Sequence, residues 1–186
     1  MTKYYKSMKQ KDGKIVSDYD GSEWTIGEWR TVKAPTKECE GLNCCENIVD
    51  AMGFVNMEVL AEVEIAGKTI VGDDKITCEK MRIIKAWKWE KKDSVTLAIY
   101  CDRLCLDNFE QMYPNDKRPR EAIEAAEEWL KNPCEETESA AWSAASAAWS
   151  AASAAWSAAW SAAKLKIHKW IVMHTEAIAL LKGGKV

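Results

Sequence analysis

Seven cysteines, at positions 39, 44, 45, 78, 101, 105 and 134, are the side chains with the widest chemical repertoire in this 186-residue chain. A thiolate can hold zinc or act as a nucleophile, but zinc ribbons and fingers bring paired ligands from two short turns, and adjacent thiols such as Cys44 and Cys45 rarely ligate one ion together. Cys39, Cys44, Cys45 and Cys78 therefore read as packed free thiols, and no metal is expected. Cys101 and Cys105 fall one helical turn apart beside Leu97 and Leu104, where core packing explains them. An odd cysteine count without a regular framework, behind an N-terminus lacking an apolar signal segment, points to reduced thiols and a cytoplasmic location. His168 and His174 are the only histidines, and a spacing of six puts them on opposite sides of a helix, unable to share a metal. No Ser-His-Asp order, phosphate loop or dinucleotide fingerprint is present. Glu46, Glu62 and Glu64 are the carboxylates that a nucleotide-handling transferase in the first half would use, but no nucleophile or phosphate cradle accompanies them. The expectation is a protein that is not an enzyme and needs no cofactor.

The aromatic residues suggest binding instead. The segment Lys85-Ala86-Trp87-Lys88-Trp89-Glu90-Lys91-Lys92 interleaves indoles with cations, as some nucleic-acid surfaces do. A net charge of −3 offers no general attraction to phosphate backbones. The segment reads more simply as an exposed strand leading into a linker, so nucleic acid is not expected as a partner. Between Ser139 and Ala163 the chain repeats Ser-Ala-Ala-Trp and Ser-Ala-Ala, with Trp142, Trp149 and Trp156 spaced by seven and Trp160 four further on. Seven residues drift only about 20° around a helix, so the first three indoles form one stripe. Two readings stay open: the alanine sector packs tightly and the indoles cover the seam, or the stripe is partly exposed and anchors a partner. The candidate partner-binding residues are Trp142, Trp149, Trp156, Trp160, Trp87 and Trp89. The same stretch is long enough to span a bilayer, but Ala and Ser gain little from lipid and no Leu, Ile, Val or Phe joins them, so no membrane partner is expected.

These residues must be carried by two unlike halves. Residues 1–92 read as short strands and turns, with Asp12-Gly13, Asp20-Gly21 and Gly72-Asp73-Asp74 as turn chemistry. Val59, Ala61, Val63 and Ile65 alternate against Glu62 and Glu64, which predicts a half-buried strand, and residues 75–84 predict a second strand paired to it. A short helix is expected from Glu46 to Met52, with Ile48, Val49 and Met52 sharing a face. From Asp93 the period becomes helical: Val95, Leu97, Ala98, Cys101, Leu104, Cys105 and Phe109 form a stripe that should end by Tyr113-Pro114. Pro119 suits the first position of a second helix with Ile123, Ala126 and Leu130 on its apolar side. Asn132-Pro133-Cys134-Glu135 predicts the cap of a third, with a bend near Ala163-Lys164. The fold class expected is α+β, a strand-rich domain over 1–92 followed by an alanine-rich antiparallel helical bundle over 93–186. Composition, 47% hydrophobic and 30% charged, is that of a folded protein.

Tyr113-Pro114-Asn115-Asp116-Lys117-Arg118-Pro119-Arg120-Glu121-Ala122-Ile123-Glu124-Ala125-Ala126, followed by the alanine-rich repeat and then Trp170 to Leu181, resembles a family of alanine-rich helical domains named as immunity proteins, which recur in phage, prophage and bacterial genomes. Cys39, Gly41-Leu42-Asn43-Cys44-Cys45-Glu46-Asn47, the strand Ala61-Glu62-Val63-Glu64 before Gly67, and Gly72 to Lys75 are similar to a phage-associated domain of unknown function. That domain's motif carries His where Asn43 stands here, which lowers an enzymatic reading. The resemblances imply a non-catalytic factor of a phage or mobile element, an immunity-type or anti-defence inhibitor that occupies the surface of a host or toxin protein. The alternatives are the transferase above and a phage structural or scaffold component assembling through the alanine face; the oligomeric state stays open.

Overall fold

The computed structural model describes residues 2–55, 57–135, 137, 139 and 166–175, without the side chains of Cys105 and Asn108. The fold is α+β: an antiparallel sheet in the first half and helices in the second. Trp142, Trp149, Trp156 and Trp160, the repeat that carries them and the bend expected near Ala163 lie outside the described residues.

In chain order the first half contains β1 (Tyr4–Lys11), β2 (Lys14–Val16), β3 (Glu23–Trp24), β4 (Arg30–Thr31), β5 (Leu42–Cys44), α1 (Ile48–Met52), β6 (Val59–Val71) and β7 (Ile76–Lys88). The turn between β1 and β2 is Asp12-Gly13, both at positive φ (51° and 72°), which matches the right-handed twist of a two-residue hairpin. The alternation expected around Val59 is present, with Val59, Ala61 and Val63 buried and Glu64 exposed. The partner strand β7 pairs with β6 antiparallel over its whole length, from Val71↔Ile76 to Val59↔Lys88, with register shifts at Glu62/Val63 and Ala66/Thr69. Gly67, at φ +76°, occupies the second shift, where a Cβ would come within 2.6 Å of Glu79 Oε2; the Glu79 carboxylate instead accepts the Lys68 amide at 3.1 Å.

The strands run in the order β3-β2-β1-β6-β7-β4, with β5 also on β7. Cys45, just past β5, exchanges both backbone hydrogen bonds with Tyr5 of β1, at 2.8 and 2.9 Å. Through this one bridge the ring β1-β6-β7-β5 closes on itself as a small barrel, while β3 and β4 stand at the ends of the strand order. Its core gathers Met8, Ile15, Val59, Met81 and Ile83, all fully buried. Helix α1 is capped by the Asn47 side chain, which accepts the Val49 amide at 2.9 Å. It buries Ile48 and Ala51; Val49 and Met52, expected on its inner face, are half-buried, because five residues make too short a helix to present a longer stripe.

In the second half, α2 (Lys91–Met112) starts with a capping box in which Glu90 and Asp93 accept each other's backbone amides, and its last turn is closed by Tyr113, whose amide donates to the Phe109 carbonyl. Leu97, Ile99 and Phe109 are its buried apolar residues, whereas Ala98, expected on the inner stripe, is exposed. Helix α3 (Arg118–Lys131) carries Pro119 in its first turn and buries Ala122, Ile123 and Trp129. Arg103 pairs with Glu127 and Arg120 with Glu110, a pattern in which rising numbers on α2 meet falling numbers on α3, so the two form an antiparallel hairpin. Asn132 ends α3, its amide donating to the Glu128 carbonyl, and helix resumes at Glu135. The cap expected at Asn132 is therefore displaced by two residues. The Cys134 amide donates to Thr137 Oγ1 at 3.2 Å, the reciprocal half of a capping box.

The chain divides into two compact units, one of Met1–Trp89 with the residues from Trp170 onward and one of Glu90–Lys169. Trp170 and His174 stack at 4.6 Å, and the His174 ring meets the edge of Trp89 at 5.9 Å, so the described end of the chain packs with the strand-rich unit.

Candidate functional site

Lys6 is the residue from which the site is built. It lies on β1 between Tyr4 and Met8 on the core-facing side, directly opposite Ala61, which is in turn opposite Ala86. Both alanines are fully buried. Two methyl groups in a row where larger side chains would fill the barrel leave room for the lysine stem. Its ammonium donates to the Asn43 carbonyl at 2.9 Å, with Cys44, Cys45, Cys78 and Asp20 within electrostatic reach. Loss of hydration lowers its pKa below the usual lysine value, an effect the nearby thiols and Asp20 only partly oppose.

The loop bearing Asn43 is held by β7. Thr77, fully buried, donates to Asn43 Oδ1 at 2.7 Å and accepts the Cys39 amide at 2.9 Å. Cys39 adopts φ +65° to make that turn, and Gly41 passes so close to β7 that a Cβ would lie 2.6 Å from the Cys78 carbonyl oxygen. Asn43, the departure noted in the sequence, is thus a backbone-positioning residue that fixes the carbonyl Lys6 uses.

Lys6 opens onto a cavity of about 690 Å³ also lined by Trp24, Arg30, Asp20, Cys39 and Tyr19, a volume in the range of small-ligand sites. Arg30 lies over the Trp24 ring at 4.4 Å and donates to Ser22 Oγ and the Glu23 carbonyl. Asp20 is held ionised by the Ser22 hydroxyl and amide, at 2.6 and 3.1 Å, which pull its pKa down. Glu40, also on the cavity wall, is lowered chiefly by the Thr36 hydroxyl. The cavity wraps one edge of β1. Tyr5 bonds Cys45 on that edge and Lys9 pairs with Val16, while Ser7 between them has no strand beside it there. Two buried polar atoms lack a hydrogen-bond partner among the described residues, Ser7 Oγ and Trp24 Nε1, and both residues line this cavity.

Two thiols on the wall, Cys44 and Cys45, are poor nucleophiles. Cys45 is pushed up to about 12, mainly by burial, and Cys44 is raised by its hydrogen bond to Cys78 and by burial. Among the described residues no three of His, Cys, Asp and Glu converge to hold a metal ion.

The structure does not bring the expected carboxylates to this cavity. Glu64 is bound by Arg82 Nε at 2.7 Å, Glu62 takes Lys3 at 3.4 Å, Glu46 is exposed, and none lines the cavity. Of the candidate partner-binding tryptophans, Trp87 is half-buried on β7, and Trp89 is 4% exposed and packed against His174, so Trp89 is not available as a surface anchor. The sequence reading missed Lys6, Trp24 and Arg30. Lys6 carried no local signal, being one of three lysines on β1.

Residues 3–92, just under half of the chain, match the model of a family described as a domain of unknown function, DUF7666. No curated protein and no solved structure matches. The matched span contains every cavity-lining residue named above. Among the described residues no helix is long and apolar enough to cross a membrane.

Proposed function

We propose that the protein is a non-catalytic binding factor whose strand-rich half recognises another protein through the cavity beside β1. The observation that carries the reading is the cavity onto which Lys6 opens, where Asp20 and Arg30 are held by hydrogen bonds to Ser22 and the pKa of two thiols is raised, that of Cys44 by its hydrogen bond to Cys78 and by burial, that of Cys45 by burial. Such a site is built to receive a ligand and lacks a group poised to transform it. Tyr19, 98% exposed, and Phe54, 48% exposed, stand at the cavity wall and supply aromatic surface of the kind interfaces use. The resemblance of the second half to immunity proteins supports the finer proposal that the partner is a toxin or host defence protein and that the chain acts as an immunity-type or anti-defence inhibitor.

The test is photocrosslinking in cells with the full chain. A crosslinking residue at Tyr19 should capture one protein in a product that excess wild-type chain competes away. The same residue at Tyr113, on the other unit, serves as control. Equal labelling from both positions, or no competable product from position 19, would remove the proposal.

A further inference from the structure

The charges on the cavity wall do not balance. Lys6, Arg30 and Lys75 face two carboxylates, Asp20 and Glu40. Asp20 accepts the Ser22 hydroxyl and amide, Glu40 accepts the Thr36 hydroxyl and amide and pairs with Lys37 at 3.4 Å, and neither is hydrogen-bonded to Lys6 or Arg30. Lys75 is occupied by Asp74 at 3.8 Å and by the Phe54 ring. Lys6 and Arg30 instead donate only to neutral acceptors, two backbone carbonyls and one hydroxyl. A cation withdrawn from water without an anion is costly, and charge-assisted hydrogen bonds to an incoming anion are what would relieve it. Trp24 and Ser7 also line the cavity, with Trp24 Nε1 and Ser7 Oγ buried beneath its surface and without a hydrogen-bond partner among the described residues.

We infer that the cavity is a carboxylate-recognition site, in which Lys6 Nζ and the Arg30 guanidinium receive the carboxylate of an acidic ligand while Leu42 and Val55 line the space for its carbon chain. A wall carrying one surplus positive charge suits a monoanion better than a phosphate dianion, which Asp20 and Glu40 would repel. The carboxylate could belong to an acidic side chain of a partner protein or to a free organic acid. The inference rests on the proposed binding reading for its choice of the first.

The experiment follows the Trp24 indole N–H in the ¹⁵N-labelled full chain, its resonance identified by its loss in Trp24→Phe. The probes are a blocked Ala-Ala-Glu-Ala-Ala peptide, its Gln counterpart, butyrate and inorganic phosphate. The Glu peptide should shift the indole resonance saturably, and the Gln peptide, Lys6→Met and Arg30→Gln should each weaken that response about tenfold or more. Should the variants fail to fold, the Glu and Gln peptides on the wild-type chain still decide. No shift with either carboxylate probe, an equal shift with the Gln peptide, or tighter binding of phosphate would overturn the inference. Butyrate binding as well as the Glu peptide would support the carboxylate site while assigning its ligand to free acids, against the partner-protein reading. A competable crosslink at Tyr19 without any carboxylate response would do the reverse.

Discussion

At the scale of single residues, Lys6 shows how a site is concealed in a sequence. Residues 4–8 read as an ordinary strand, and nothing in Tyr-Tyr-Lys-Ser-Met distinguishes a solvated lysine from one turned inward. That distinction depends on Ala61 and Ala86, more than fifty residues away, which become its neighbours only once the register of three strands is set. Because desolvation lowers its pKa, the unfolded chain binds the proton more tightly between the folded value and the ordinary 10.5. Stability should rise with pH through that window, and below it the folded protein bears the full cost of the buried charge. Lys6→Met is accordingly expected to stabilise the unliganded protein near neutral pH by about 1 kcal/mol, with a gain in Tm that shrinks as pH approaches 10.5. Paired thermal melts across that range would check it, and a variant less stable at neutral pH would show that the bond to Asn43 outweighs desolvation. The cysteines were legible in part. Their irregular spacing predicted packed thiols, and Cys44, Cys45 and Cys78 are buried, but Cys39, expected to pack with them, is exposed on a turn at positive φ, and Cys134 is exposed as well. With Cys45 pushed up to about 12, iodoacetamide at mildly alkaline pH should modify Cys39 and Cys134 in the native protein and reach Cys44 and Cys45 only after denaturation. Peptide mass spectrometry reads the order, and early modification of Cys44 would contradict the closed barrel.

At the scale of elements, the strands whose side chains alternate were visible in advance and the short ones were not. Val59 to Ile65 states its own period, and its partner follows the Gly72 turn at once. Strands β3, β4 and β5 are two or three residues long, so they carry no period, and what makes Leu42–Cys44 a strand is the available edge of β7. Gly41 is where that dependence is sharpest, since its missing Cβ lets β5 settle against the Cys78 carbonyl. Gly41→Ala should cost about 2 kcal/mol or more through the forced backbone shift, measured by urea denaturation, and should disturb the Lys6–Asn43 bond with it. A neutral effect would mean the loop has another seat. In the helical hairpin the ranking is reversed in appearance: the Arg120–Glu110 pair is conspicuous but exposed, so Glu110→Gln should change stability by about 0.5 kcal/mol at most. Ile123→Ala, by contrast, empties a position 5% exposed and should cost about 2–4 kcal/mol. The sequence predicted Ile123 by its spacing but passed over Trp129, which is also buried, because a tryptophan amid glutamates looks like surface.

At the scale of the whole molecule, the change of hydrophobic period near residue 92 located the boundary between strands and helices, and the structure puts it at Trp89/Glu90. The capping box of Glu90 and Asp93 and the Lys91 ammonium over the Trp129 ring, at 5.5 Å, tie the start of α2 to the helical unit. Period could not reveal that the chain returns, because a helix carries its pattern whichever unit it packs with. The described end of the chain does return: Ile171 is fully buried, and His174 stacks on Trp170 and meets Trp89, the residue whose amide closes the end of β7 on the Glu58 carbonyl at 2.8 Å. A chain ending at Lys169 should therefore lose protection in the strand-rich unit and not only in its own helix. Hydrogen exchange at the Trp89 amide is expected to accelerate strongly, and its indole should become accessible to iodide. Ile171→Ala in the full chain should reproduce the effect in part, at a cost of about 2–4 kcal/mol. If truncation left exchange at Trp89 unchanged and altered only residues 91–131, the simple partition of the chain into 1–92 and 93–186 would be the correct one, and the terminal segment would belong with the helices.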